Sequence, residues 1–328
     1  MLKSWLRRLG ILSVLALAAC GPATGGPSDS GPLRVVATFS VLGDMVQTVG
    51  GDQISLTVLA GPGMDSHTYS PTASDAAALA QAELVFENGL EFEGWLDDLY
   101  QASGSQAIRV AVSEGIEPLE GDEHAEEGDR AEDEHADEGE HEDAEHEHGA
   151  VDPHIWHSAT NAIVMVRNIR DALISADPTH VDAYRANAEA YTSQLRDLDA
   201  WIFETVARLP VERRVLVTTH DTFGYLAERY GFQVVGTVLP TSTEGASPSA
   251  QELAALVEAI RATGVPVVFG ENVAGNGLLS QVAAEAGVEV VASLFTDALG
   301  PDGSAATTYI DMMHFNVSTI VDALAGAQ

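Results

Sequence analysis

Cysteine and positive charge are nearly missing from this chain. Cys20 is the single cysteine among 328 residues, so no disulfide can form within the chain. Lys and Arg total 15 against 50 Asp and Glu, which leaves a net charge of −35. Phosphate would be repelled by such a surface, which excludes nucleic acid as a partner. Cations would be drawn to it, with plain solubility as the alternative reason for the charge. No stretch beyond the N-terminal region is apolar for long enough to be a transmembrane helix. Neither an H-E-x-x-H helix motif nor a G-x-S-x-G elbow occurs, which argues against a zinc peptidase or a serine hydrolase. What is present is ordinary for a globular chain: 45% hydrophobic and 20% charged residues, enough for one or two domains with real cores.

Lys3, Arg7 and Arg8 precede an apolar run over residues 9–18. That pattern reads as an export signal, too short to span a bilayer comfortably. Leu17-Ala18-Ala19-Cys20 follows and resembles the bacterial lipoprotein cleavage box. On that reading residues 1–20 are a signal peptide and Cys20 carries the lipid anchor. Residues 21–32 are rich in Gly, Pro and Ser and read as a flexible tether.

Beyond the tether, short β-branched runs alternate with helical patterns. Strands are expected over 33–40, 54–60, 84–87 and 108–112, with helices between them at 41–49 and 74–81. Such alternation implies a parallel sheet with crossover helices. A helix at 161–175 is followed by Asp177-Pro178, an N-cap signature. Apolar positions then continue at helical spacing to Leu209, where Pro210 stops them. Residues 178–209 therefore read as a stiff strut about 45 Å long. The style of the first region returns with strands at 215–219, 233–239, 265–270 and 288–294, and helices at 253–262 and 278–286. The fold class expected is α/β: two small lobes with four-stranded, mostly parallel sheets and flanking helices, joined by a single long helix. The first lobe is 33–158, the connecting helices 159–210 and the second lobe 211–328.

Residues 120–148 break the pattern. They hold sixteen acidic residues, one Arg and five histidines, His124, His135, His141, His146 and His148, with no aromatic or branched aliphatic residue. A segment with nothing to bury is expected to be disordered. As a sparse chelator it gives weak metal sites, since ordering it costs entropy. A tolerated low-complexity insertion is the alternative.

Four segments each end in a metal-capable side chain: Gly61-Pro62-Gly63-Met64-Asp65-Ser66-His67, Val151-Asp152-Pro153-His154, Val215-Leu216-Val217-Thr218-Thr219-His220, and the run 290–297 ending in Asp297. Three of them lie behind strand-like runs. A parallel α/β sheet gathers ligand groups at the carboxyl ends of its strands. Three imidazoles and one carboxylate complete a tetrahedral zinc shell. His67 and His154 belong to the first lobe, His220 and Asp297 to the second, so one ion would pin the cleft. Glu271, at the end of the third strand of the second lobe, reads as a turn carboxylate or as an acceptor that orients a ligand imidazole. Asp65, Asp152 and Asp221, each beside a ligand histidine, are rivals for that role. His157 reads as an exposed or helix-capping neighbour, with an accessory ligand as the alternative.

The motifs Pro62-Gly63-Met64-Asp65-Ser66-His67-Thr68-Tyr69-Ser70-Pro71, Asn88-Gly89-Leu90-Glu91-Phe92-Glu93-Gly94-Trp95-Leu96, Asp152-Pro153-His154-Ile155-Trp156, Thr219-His220-Asp221-Thr222-Phe223-Gly224-Tyr225-Leu226 and Thr296-Asp297-Ala298-Leu299-Gly300 resemble the substrate-binding proteins of ATP-driven zinc or manganese importers, whose lobes are linked by one long helix. The family often has Pro in place of Ser66, and usually Leu-Asp-Pro in place of His157-Ser158-Ala159. The resemblance implies His67, His154, His220 and Asp297 as the ligands, an ABC permease as partner, a lipid-anchored monomer on the extracytoplasmic side, and no enzyme activity. It also implies zinc, because manganese members carry a carboxylate at the position of His220; Mn2+ is the less favoured cargo. A manganese receptor, a surface adhesin and a zinc hydrolase are the rival functions.

Overall fold

The computed structural model describes residues 31–121, 151–239, 248–273 and 275–326. The expectations for residues 1–20 with Cys20, for the tether up to residue 30, and for His124, His135, His141, His146 and His148 fall outside the described residues. Two sheets carry the architecture. The first is built from β1 (Leu33–Phe39), β2 (Ile54–Ala60), β3 (Leu84–Glu87) and β4 (Ile108–Ala111), in the order β2-β1-β3-β4 with every pair parallel. The second uses β5 (Val215–His220), β6 (Gln233–Leu239), β7 (Val267–Glu271) and β8 (Glu289–Leu294), in the order β6-β5-β7-β8, again all parallel. The fold class is as expected: two α/β lobes with parallel sheets. Several element boundaries shift by one to three residues. The strand expected from residue 265 begins at Val267, because Pro266 has no N–H to give to a ladder.

Helices α1 (Ser40–Gly50), α2 (Ala73–Gln81) and α3 (Leu96–Ser103) accompany the first sheet. Between the lobes run α4 (Ala159–Ala176) and α5 (Val181–Val206). Around the second sheet lie α6 (Gly224–Tyr230), α7 (Ala250–Thr263), α8 (Gly277–Ala286) and α9 (Tyr309–Gly326). Helix α2 opens on a capping box from Thr72 and Asp75, and α7 on one from Ser249 and Glu252, which satisfies N–H groups that a helix start leaves unpaired.

The strut begins as a 3-10 turn at Pro178–His180 before turning α-helical at Val181. Its 26 residues extend about 39 Å. Tyr184, Ala188, Tyr191, Leu195, Leu198, Ile202 and Val206 are buried at three- and four-residue spacing, one continuous apolar stripe. That stripe packs on α1, α4 and α9. The largest apolar cluster therefore runs through both lobes and the strut, from Val35 and Phe39 to Phe269 and Met313. Smaller clusters sit on the outer face of each sheet: Val36, Val85, Leu79 and Leu99 in the first lobe, Val217, Val268, Leu256 and Val282 in the second. Both faces of each sheet are covered, as parallel sheets require.

Polar contacts join the lobes. Leu299 accepts from Gly63 N at 2.9 Å through its carbonyl, and its own N–H donates to Ser40 Oγ at 2.9 Å. Trp156 Nε1 donates to Thr296 O at 3.0 Å, and Tyr225 Oη donates to Asp152 O at 2.8 Å. Asp44 on α1 accepts from Tyr309 N at the head of α9 (2.9 Å) and from Tyr191 Oη on the strut (3.5 Å). Burial pushes the Asp44 carboxyl above its ordinary value, against the opposing pull of the Tyr309 and Tyr191 bonds.

Candidate metal centre

His220 is the last residue of β5, and Glu271 is the last residue of β7. Asp297 follows β8 by three residues. His67 lies in the connection after β2, and His154 just before the 3-10 turn Ile155–His157 that leads into α4. The four expected donors converge: one ligand atom from each of His67, His154, His220 and Asp297 lies within 4.8 Å of all the others. His67 Nε2 is 3.1 Å from His154 Nε2 and 3.7 Å from Asp297 Oδ2. His220 Nε2 is 3.1 Å from Asp297 Oδ2, and His154 Nε2 is 3.6 Å from Asp297 Oδ1. Zinc bonds of about 2.0–2.1 Å set tetrahedral donors about 3.3 Å apart. The observed separations bracket that edge. His67 is 8% exposed and the other three are fully buried.

Two of the three rings are held from behind by a carboxylate. Asp152 Oδ1 accepts from His154 Nδ1 at 2.7 Å and from His154 N at 2.9 Å, a support that orients the ring with Nε2 toward the other donors. Glu271 does the same for His220: Oε2 lies against His220 Nδ1, and Oε1 accepts from His220 N at 2.9 Å. Thr296 Oγ1 donates to Glu271 Oε2 at 3.3 Å. Of the two readings of Glu271, the orienting acceptor matches this geometry. Asp65 works on the backbone instead, accepting from His67 N at 2.8 Å and Thr68 Oγ1 at 3.1 Å. This local turn, with Trp95 Nε1 donating to Ser66 O at 2.7 Å, fixes the His67 segment. Asp221 is buried beside His220.

The charges differ from ring to ring. Burial drives the His67 imidazole down to about 3, although Asp297 pulls the other way. Burial also opposes charge on His220, but Glu271 and Asp297 outweigh it and hold that ring well above the usual histidine range. Asp297 is likewise buried, which alone would raise it; the imidazoles of His220, His154 and His67 hold it below the ordinary carboxylate range instead. Glu271 and Asp297 thus favour the charged form of the His220 imidazole, and His220 in turn favours the ionised form of Asp297.

His157 is neither exposed nor part of the four-donor group. It is fully buried, with its ring 4.6 Å from that of Phe223, and burial lowers it to about 3, helped by the nearby His154. The 3-10 turn after His154 rolls it inward, which a reading based on position along the chain had no means to see. Phe92 is a participant that donor chemistry alone does not suggest: its ring stands edge-on to His67 at 4.7 Å and lies 6.0 Å from His154. The turn before it is left-handed. Gly89, Leu90 and Glu91 have φ of 81°, 55° and 60°, which costs roughly 1–2 kcal/mol for each non-glycine residue.

Two parallel-sheet α/β lobes, a long linking helix and a buried three-histidine, one-carboxylate donor set at the junction define the class of molecule. Within that class, the chain belongs to the ZnuA family, zinc-uptake complex component A, periplasmic, whose model matches residues 35–323. Among relatives, it is 33% identical over 319 residues to the manganese-binding lipoprotein MntA of Halalkalibacterium halodurans, covering 96% of this chain and 97% of the relative. It is 30% identical to the iron-binding protein YfeA of Yersinia pestis, covering 96% of each chain. Among solved structures, the periplasmic zinc-binding protein TroA of Treponema pallidum is similar at a TM-score of 0.75 and 30% identity, covering 90% of this chain and 99% of that one.

Proposed function

We propose that this chain is the extracytoplasmic solute-binding protein of an ABC importer, capturing Zn2+ between its lobes and passing it to a membrane permease. In this reading residues 33–158 and 211–328 are the lobes, residues 159–210 connect them, and lipid on Cys20 holds the body at the outer side of the membrane. The convergence of His67, His154, His220 and Asp297 at tetrahedral spacing carries the proposal. Four protein donors leave little room for the water that a catalytic zinc keeps, so the reading is a receptor and not a hydrolase. The family assignment supports a permease partner. Among the described residues no helix is long and apolar enough to cross a membrane.

Zinc is favoured over manganese because three of the four donors are imidazoles, whereas manganese prefers oxygen-rich shells. A manganese receptor is the second reading, and the 33%-identical manganese-binding relative favours it. Competitive titration of the purified mature protein separates the two. One tight site that zinc takes from excess manganese is the expected result. Manganese holding that site at equal concentration overturns the choice of cargo, and absence of any tight site overturns the receptor.

A further inference from the structure

A carboxylate sealed inside the first lobe touches none of the four donors yet is linked to two of them. Glu93 is 7% exposed. Its Oε1 accepts from Thr38 Oγ1 at 2.6 Å and from Asn88 N at 2.7 Å, and Oε2 accepts from Gly89 N at 3.3 Å. Thr38 is the penultimate residue of β1, and Asn88 directly follows β3. One side chain therefore ties two neighbouring strand ends to the turn that leaves β3. That turn is the left-handed stretch Gly89–Leu90–Glu91. Successive L residues rarely rest there unless surrounding bonds over-determine the shape.

Two contacts lead from this turn to the donors. Asn88 Nδ2 donates to Pro153 O at 2.9 Å, and Pro153 immediately precedes His154. Phe92, at the end of the turn, packs its ring against His67 and lies 6.0 Å from His154. Burial pushes the Glu93 carboxyl up to about 7, while the bonds from Thr38 and Asn88 work to keep it charged. A buried group so costly to ionise is held by donors that all belong to this one turn and the strand end beside it.

We propose that Glu93 is a positioning residue for the metal centre: it clasps the turn so that Asn88 and Phe92 fix where the His154 and His67 rings stand. The proposal rests on the reading of the four donors as a metal site. Glu93 itself bonds to Thr38, Asn88 and Gly89 and not to the four donors.

The test compares wild type, Glu93→Ala, Glu93→Gln, Thr38→Val and His220→Ala. Zinc affinity is read by competition with a chromophoric chelator, ligand geometry by the visible spectrum of the Co2+ complex, and fold by melting of the metal-free chain. Glu93→Ala is expected to bind zinc about 10-fold more weakly, the loss typical of an outer partner of a metal ligand, and to distort the cobalt spectrum. Glu93→Gln keeps the oxygen that serves Thr38 and Asn88, so affinity and spectrum return most of the way to wild type. Thr38→Val removes one bond and falls between. Wild-type affinity and spectrum in Glu93→Ala overturn the proposal. So do alanine and glutamine variants weakened only in step with their melting temperatures, with the spectrum unchanged. If the alanine variant does not fold, unchanged binding in both Glu93→Gln and Thr38→Val overturns it. A wild-type chain that takes up no zinc removes the receptor reading and this inference with it. Loss in His220→Ala without loss in the Glu93 variants removes this inference alone.

Discussion

The two lobes share one strand order but present their donors differently. In each sheet the first strand of the lobe lies inside, flanked by the second and third. The second lobe uses the end of that inner strand: His220 belongs to β5, and its supporting Glu271 ends the neighbouring strand β7. The first lobe takes no donor from β1 or β3. His67 and His154 come from the connections after its two edge strands, β2 and β4. Asp297, after β8, is the topological counterpart of His154. Charge follows the same division. The inner-strand imidazole sits between two buried carboxylates, which hold it well above the usual histidine range, while burial drives the loop imidazole His67 down to about 3.

This contrast predicts that His220→Ala and His67→Ala differ most in the metal-free chain. His220→Ala leaves Asp297 and Glu271 buried without their counter-charge and should lower unfolding stability by about 3–5 kcal/mol. His67→Ala removes a neutral ring and should cost clearly less in the same denaturant titration. Equal losses would break the comparison. Next in size, Glu271→Gln keeps the shape of the support but removes its charge, and should weaken zinc binding about 10- to 100-fold. Calorimetry that finds wild-type affinity in this variant would show that the inner strand alone orients His220.

The smallest effect is a proton count. Zinc binding at neutral pH should release about one proton, from His220, because a ligand imidazole must be neutral. His67 contributes none, being neutral already. Calorimetry in two buffers of different ionisation enthalpy reads the number, which His67→Ala should leave unchanged; zero release in wild type would sink the charged His220. Acid affects the lowered and the raised imidazoles in opposite senses. His67 and His157 lie below the ordinary value of about 6.5 when folded, so they withdraw stability as pH falls from there towards about 3. His220 lies above that value, so its contribution is complete below it and fades as pH rises through its folded value.

Much of this was legible from residue order. The alternation of short β-branched runs with helical patterns marks both sheets, because a strand covered on two faces has to be apolar throughout. The glycine-free run closed by Pro210 marks the strut. The donors stand out because His220 and Asp297 come at or just after strand ends, where topology collects ligands. Three helices were not among the expected elements. Helix α3 and helix α6 are short, with 8 and 7 residues, and a helix of that length draws its stability from tertiary packing. Helix α9 does carry a signal, since Met313, Val317, Ile320, Val321 and Leu324 fall at helical spacing. The clasp by Glu93 and the inward turn of His157 were not legible. Both depend on backbone angles at two or three residues, which leave no periodic trace.

One small antiparallel bridge joins Glu120 to Val151, and beside it Asp152 N donates to Leu119 O at 2.9 Å. The backbone that enters Asp152 and His154 is thereby moored to the chain leaving β4. The body's own hydrogen bonds, and not the number of residues between Glu120 and Val151, therefore set where the His154 ring begins.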